Sequence, residues 1–263
     1  MKRIQKRRLW LAVEIACLTA FLIILVLLIV RLTDQSGRRQ EEQRAEELFQ
    51  QLEQSPTPTA GPSETVQPVE TAPEVLPELQ PFLSKNPDFV GMIAFEKQSM
   101  YVCQGDDNFY YASHRLDGSE TPAGMIFMDC RNALWPADEN TILYGHNMQD
   151  GTRFGKLPCY ADMEYLLNNS VIRFASLYEI RSFAPISVFY TSVDASSPDY
   201  FDFARTCFAD EAELDEYIAG VAARSIHALP ANVHYGDRLL TLATCSEAYD
   251  GGRLVIVCRE LQS

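Results

Sequence analysis

Three side-chain types in this chain can attack, protonate and stabilise a single acyl group: a cysteine, a histidine and an arginine. Cys245 ends a run rich in branched residues, 239–244, and Arg253 opens a second apolar run, 254–258. The stretch 246–252 between them carries the turn formers Asp250, Gly251 and Gly252. The pattern reads as strand, short loop, strand, with a thiol at the end of one strand facing a guanidinium at the start of the next. A thiolate attacks a carbonyl carbon, and a guanidinium neutralises the charge that grows on the oxygen. The hairpin alone is equally compatible with two core strands bearing a buried cysteine and a surface arginine.

A catalytic thiol needs a base or a cation beside it, and the chain has four histidines. His114 follows Tyr110-Tyr-Ala-Ser, His227 lies near the end of a late helical stretch, and His234 sits in a loop. His146 follows the run Thr141-Ile-Leu-Tyr-Gly145 and opens the polar segment Asn147-Met-Gln-Asp-Gly-Thr152. The end of a strand on a rigid scaffold is where chemistry is usually mounted, so His146 is the strongest of the four. With ordinary pKa values, about 3% of a thiol and about a quarter of an imidazole carry charge at pH 7. The site must therefore pair those charges, or run on a small active fraction.

The elements that would hold these groups are short strands separated by turns. Candidate strands cover 90–95, 100–103, 125–128, 141–144, 171–175, 186–191, 239–244 and 254–258. Eight strands at this spacing point to a barrel or a sandwich. A helix interrupts them late, from Asp210 as cap to about His227, with Leu214, Tyr217, Ile218, Val221 and Ile226 on one face. Shorter helices are expected around 154–157 and 162–167.

The N-terminal third has a different character. Residues 1–8 hold five basic side chains, and 9–30 is an apolar run whose single charge is Glu14. That run is long enough to cross a bilayer as a helix, and no small-residue cleavage site follows it. The dense basic flank places the N-terminus inside and the bulk of the chain outside, which predicts a single-pass protein of the cell membrane. Residues 35–54, rich in Glu, Gln and Arg, read as a solvated juxtamembrane helix. The segment 55–81 holds seven of the 14 prolines and reads as an extended stalk. The expected divisions are a basic tail (1–8), a transmembrane helix (9–30), a linker (31–82) and a folded domain (83–263).

The net charge is −14. From Ser84 onward 13 basic face 25 acidic side chains, which argues against nucleic acid as a partner. Seven cysteines are irregularly spaced, without CxxC or a Cys/His cluster of zinc-ligand spacing, so no metal or cofactor is expected.

Thr241-Leu-Ala-Thr-Cys245 resembles the TLxTC signature of sortases. Tyr144-Gly-His-Asn-Met-Gln-Asp-Gly-Thr152 is similar to the catalytic-histidine segment of class B sortases. Gly118-Ser-Glu-Thr-Pro-Ala-Gly-Met-Ile-Phe-Met-Asp-Cys-Arg-Asn132 and Asn86-Pro-Asp-Phe-Val-Gly-Met-Ile resemble earlier stretches of that class. The likeness runs from about Leu83 to the C-terminus. Ala243, the loop 246–252 and Cys258 depart from the pattern. The resemblance implies a mostly β fold, an eight-stranded sortase-type barrel with an N-terminal helix and a long helix between strands six and seven. It implies transpeptidation: cleavage of a C-terminal sorting signal and transfer of the acyl group to an amine on peptidoglycan or on another protein, such as a pilin. Cys245 would form a thioacyl intermediate, His146 would shuttle the proton, and Arg253 with the Ser246 N–H would hold the oxyanion. Asn147, Thr244 and Tyr200 would line the substrate groove, together with Ser246. The competing readings are a pilin-polymerising sortase, a wall-associated cysteine peptidase and a non-catalytic stalked binding module.

Overall fold

A computed structural model describes residues 2–55, 73–245 and 251–261. The side chains of residues 2–9, 11, 12 and 245 lie outside that description. The chain divides into two units, one up to Glu41 and one from Glu42 onward. The first unit is helical throughout its described length, and α1 (Lys2–Gln54) runs on into the second. Leu18, Phe21, Ile24 and Leu27 on this helix are exposed apolar side chains. The helix is long and apolar enough to cross a membrane.

The second unit is built on eight strands that close into a barrel in the order β1-β2-β3-β4-β7-β8-β6-β5. They are β1 (Phe89–Phe95), β2 (Gln98–Cys103), β3 (Ile126–Met128), β4 (Asn140–Gly145), β5 (Ile172–Ser176), β6 (Ile180–Ser192), β7 (Leu239–Cys245) and β8 (Gly252–Glu260). The β2–β3 and β4–β7 pairs are parallel and the others antiparallel. Of the two architectures the strand spacing allowed, closure selects the barrel.

Alternation along the closing strands sorts side chains into two cores. Leu240 and Leu242 of β7, with Leu254, Ile256 and Cys258 of β8, fill the barrel interior. Leu239, Ala243, Val255 and Val257 point outward and pack under α4 (Glu211–Arg224) through Leu214, Tyr217 and Val221. Burial of a side chain of this size contributes roughly 1.5–3 kcal/mol. Asp210 caps α4, accepting the Glu213 N–H at 3.0 Å. The helix ends at Arg224, short of the expected His227, because Ile226 gives its N–H to the Val188 carbonyl at 2.8 Å and joins the edge of β6 instead.

β6 is longer than the expected 186–191, at 13 residues. Pro185 marks a natural stop, but the ladder with β8 shifts register between Pro185 and Ser187, and that bulge absorbs the missing donor. The short helix expected at 162–167 is α3 (Met163–Asn168), capped by Asp162, and the one expected at 154–157 is a 3-10 helix displaced to Leu157–Ala161. The short α2 (Gln80–Leu83) precedes β1.

The stretch expected to be solvated, 35–54, departs from that expectation in its second half. Ala45, Phe49 and Leu52 are buried against Leu76, Leu79, Phe89, Tyr101 and neighbouring residues on the outer face of the barrel. Their spacing of four and three puts them on one helical face. Arg173 of β5 lies 5.5 Å over the Phe49 ring and pairs with Glu53. The compact unit thus begins at Glu42, upstream of the expected start at 83.

Candidate active site

β4 and β7 run side by side in parallel, with Gly145 opposite Thr244. The Thr244 hydroxyl donates to the Gly145 carbonyl at 2.8 Å and clamps the two strand ends. His146 and Cys245 are the next residues on each strand. On the other side of β7, Cys245 lies opposite Arg253 in the antiparallel register with β8. The backbone therefore brings all three sequence-predicted catalytic residues to one end of the barrel.

A cleft of roughly 410 Å³ opens there. His146, Thr244, Arg253 and Tyr200 line it. Its walls come from Asn108, Phe109 and Ala112 on one side and from Ser192, Val193 and 200–204 on the other. Phe109 is 78% exposed and Val193 49%, so the rim offers apolar surface to an entering chain.

His146 is half-buried, and its Nε2 lies 2.7 Å from the Ala112 carbonyl. A carbonyl only accepts, so in this contact Nε2 carries the proton. Nδ1 is then the ring atom that accepts a proton, and it can give one back only from the imidazolium. The segment after it folds back on itself: Met148 and Phe154 both donate their N–H groups to the His146 carbonyl, at 3.1 and 3.0 Å. Arg253 is half-buried and donates to the Gly252 carbonyl at 3.0 Å.

Thr244 is buried, and Tyr200 is half-buried with its backbone bridged to Ser192. Asn147 is exposed and is not among the cleft-lining residues; its backbone bridges to Arg153. Ser246, proposed from sequence as an oxyanion donor, lies outside the described residues. The other histidines serve elsewhere. His114 stacks on Tyr110 with ring centroids 3.9 Å apart, His227 contacts the Tyr160 carbonyl at 2.9 Å, and His234 is exposed beside Asp237.

Sequence reasoning did not single out Tyr144, Asn108 or Ala112. Tyr144 lines the cleft two residues before His146 and gives its hydroxyl to Asp129 at 2.8 Å. Burial, helped by the Asp129 charge, pushes the Tyr144 phenol up. Burial also opposes ionisation of Asp129, but the Arg131 guanidinium and backbone N–H, with the Tyr144 hydroxyl, outweigh it and hold the carboxyl below its usual range. Period-two reading back from His146 places Tyr144 on the same side of the strand end, a signal that was available. The Ala112 carbonyl had none, since a backbone acceptor 34 positions away leaves no mark on residue type.

No family model matches the chain. It is 34% identical over 190 residues to Sortase B of Listeria monocytogenes, covering 70% of this chain and 74% of the relative. It is 29% identical over 189 residues to Sortase B of Staphylococcus aureus, covering 70% and 75%. Among solved structures, sortase B from B. anthracis in complex with AAEK1 superposes with a TM-score of 0.70 at 26% identity, covering 88% of this chain and all of that one. The Staphylococcus aureus sortase B–substrate complex does so with a TM-score of 0.71 at 25% identity, covering 88% and 99%. The chain belongs to the sortase B family, and its closed barrel is the fold of that family. Membership supports a sortase-type transpeptidase.

Proposed function

We propose that this chain is a membrane-anchored cysteine transpeptidase that works through a Cys245 thioacyl intermediate. The Cys245 thiolate adds to the scissile carbonyl of a bound sorting peptide. The oxygen takes up negative charge, which the Arg253 guanidinium and the Ser246 N–H stabilise. His146, made an imidazolium by the proton the thiol gave up, passes that proton to the departing amine as the C–N bond breaks, leaving the acyl group on sulfur. An incoming amine then passes a proton to His146 and attacks the thioester, and the thiolate leaves.

The observation that carries this reading is the strand register. Gly145 opposite Thr244 and Arg253 opposite Cys245 put the ends of three adjacent strands at one cleft. The sortase B relatives, one of them solved as a substrate complex, support a peptide substrate bearing a C-terminal sorting motif. The amine would come from peptidoglycan or from a pilin. The apolar part of α1 supports anchorage through residues 9–30, with the basic tail inside and the barrel outside.

The test is incubation of the purified chain with candidate sorting peptides and amine acceptors, followed by mass spectrometry. Peptide–amine conjugates and a mass adduct on Cys245 are expected. Hydrolysis alone with every amine would favour the wall-associated peptidase. Turnover surviving Cys245→Ala would end the mechanism.

A further inference from the structure

The loop that carries His146 contains a second charged residue in an unusual setting. Arg153 is 1% exposed and adopts a positive φ of 55°. This left-handed backbone is uncommon for a residue with a Cβ. Its Nε donates to the Gly124 carbonyl at 3.0 Å, and its backbone bridges to Asn147, the neighbour of His146. Gly124 lies directly against the carbonyl that receives the His146 ring: a Cβ there would sit 2.5 Å from Ala112 O. Arg153 thus touches both supports of the imidazole, the loop behind it and the backbone that holds Nε2.

Glu42 reaches this point from α1. Its Oε1 accepts the Arg153 N–H at 3.1 Å, and its side chain is 9% exposed. Three, seven and ten residues further along the helix, Ala45, Phe49 and Leu52 bury the same face in the barrel. The two residues are thus joined through the Arg153 backbone, while the Arg153 side chain reaches on to Gly124.

We infer that Glu42 and Arg153 form a positioning pair through which the docked end of α1 sets the orientation of His146. The inference rests on the reading of His146 as the proton shuttle. Neither residue touches the reacting atoms. They act by fixing the segment 146–155 and the Ala112–Gly124 contact. The helix that enters the barrel unit at Glu42 is therefore part of the catalytic architecture as well as a tether.

The experiment uses the full-length chain in detergent, with Glu42→Ala, Glu42→Gln and the double variant Glu42→Ala/Arg153→Met. Rates are expressed per active thiol. Glu42→Ala should lower kcat about ten-fold with the peptide KM within about two-fold, since small misplacements of a catalytic group are costly to rate and not to binding. Glu42→Gln keeps an acceptor for the Arg153 N–H and should recover most of the loss. The double variant removes the Gly124 contact as well and should be no faster than Glu42→Ala. Amide hydrogen exchange in 146–155 should rise in Glu42→Ala before exchange rises in the strands. A Glu42→Ala enzyme with a lower melting temperature but unchanged kcat would overturn the inference, as would uniform exchange across the barrel. If the wild-type chain transfers no peptide, the catalytic reading fails by itself. Unaltered exchange in 146–155 of Glu42→Ala would then separately refute the coupling.

Discussion

The hydroxyl of Thr244 and the carbonyl of Gly145, 2.8 Å apart, join two parallel strands immediately before His146 on one and Cys245 on the other. A threonine that is 1% exposed at that position has one partner for its O–H, and that partner fixes the relative height of His146 and Cys245. The signature threonine before the cysteine is thereby explained by geometry: a hydroxyl is needed to tie β7 to β4.

Thr244→Val keeps the shape and removes the donor. Loss of one buried hydrogen bond should cost about 1–3 kcal/mol, because the Gly145 carbonyl is left without that donor. Peptide turnover should fall more steeply than binding. Chemical denaturation together with separate kcat and KM values measures both.

The described cysteines should divide by access. Cys103 and Cys258 are fully buried, and burial pushes the Cys258 thiol up. Neither should react with a thiol reagent in the native state, and Cys258→Ala should retain activity at a stability cost of roughly 1 kcal/mol. Cys245→Ala should abolish turnover while folding normally. Mass mapping of alkylated peptides, native against denatured, gives the order of reactivity.

Asp129 should give the acid limb of stability a specific contributor. Its carboxyl is held below the usual range, so it binds a proton more readily in the unfolded chain. The sign follows: its stabilisation is complete above the unfolded value of about 3.9 and is lost as pH falls through the lower folded value. Asp129→Asn should therefore destabilise by about 1–3 kcal/mol at pH 7, and the gap to wild type should close at pH below 4. Urea melts at pH 7 and pH 3 test this.

Gly155→Ala should be far worse than its size implies. A Cβ at Gly155 would lie 2.1 Å from the Met148 carbonyl, inside the loop that follows His146. The backbone has to move, so kcat should drop at least ten-fold while Tm falls only a few degrees. Kinetics beside a thermal melt separates the two effects.

The parts of this molecule that could be read from residue types are those governed by local pattern. Alternation and turn residues located β7, β8 and the hairpin that sets Arg253 opposite Cys245. The Asp210 cap located α4. Asn147 had the right sequence neighbour for a groove residue but faces away, since a single reversal after His146 changes which side a loop residue occupies. The docking of 42–54 was hidden for a different reason. Ala45, Leu48, Phe49 and Leu52 are only four apolar positions in a charged helix, and the surface that receives them is assembled from β1, β2 and the 76–79 segment far along the chain. Arg153 was equally silent, because a buried arginine and a surface one look alike until its acid partner is known.

The ladder that returns from β5 to β1 has a last consequence. A sheet with open margins exposes rows of unsatisfied amides on which a neighbouring chain can stack. Here Phe95 meets Ile172 and Gly91 meets Ser176 across the closing seam, so that template is absent along it. Many copies crowded together can stand shoulder to shoulder without seeding cross-strand fibres along that seam.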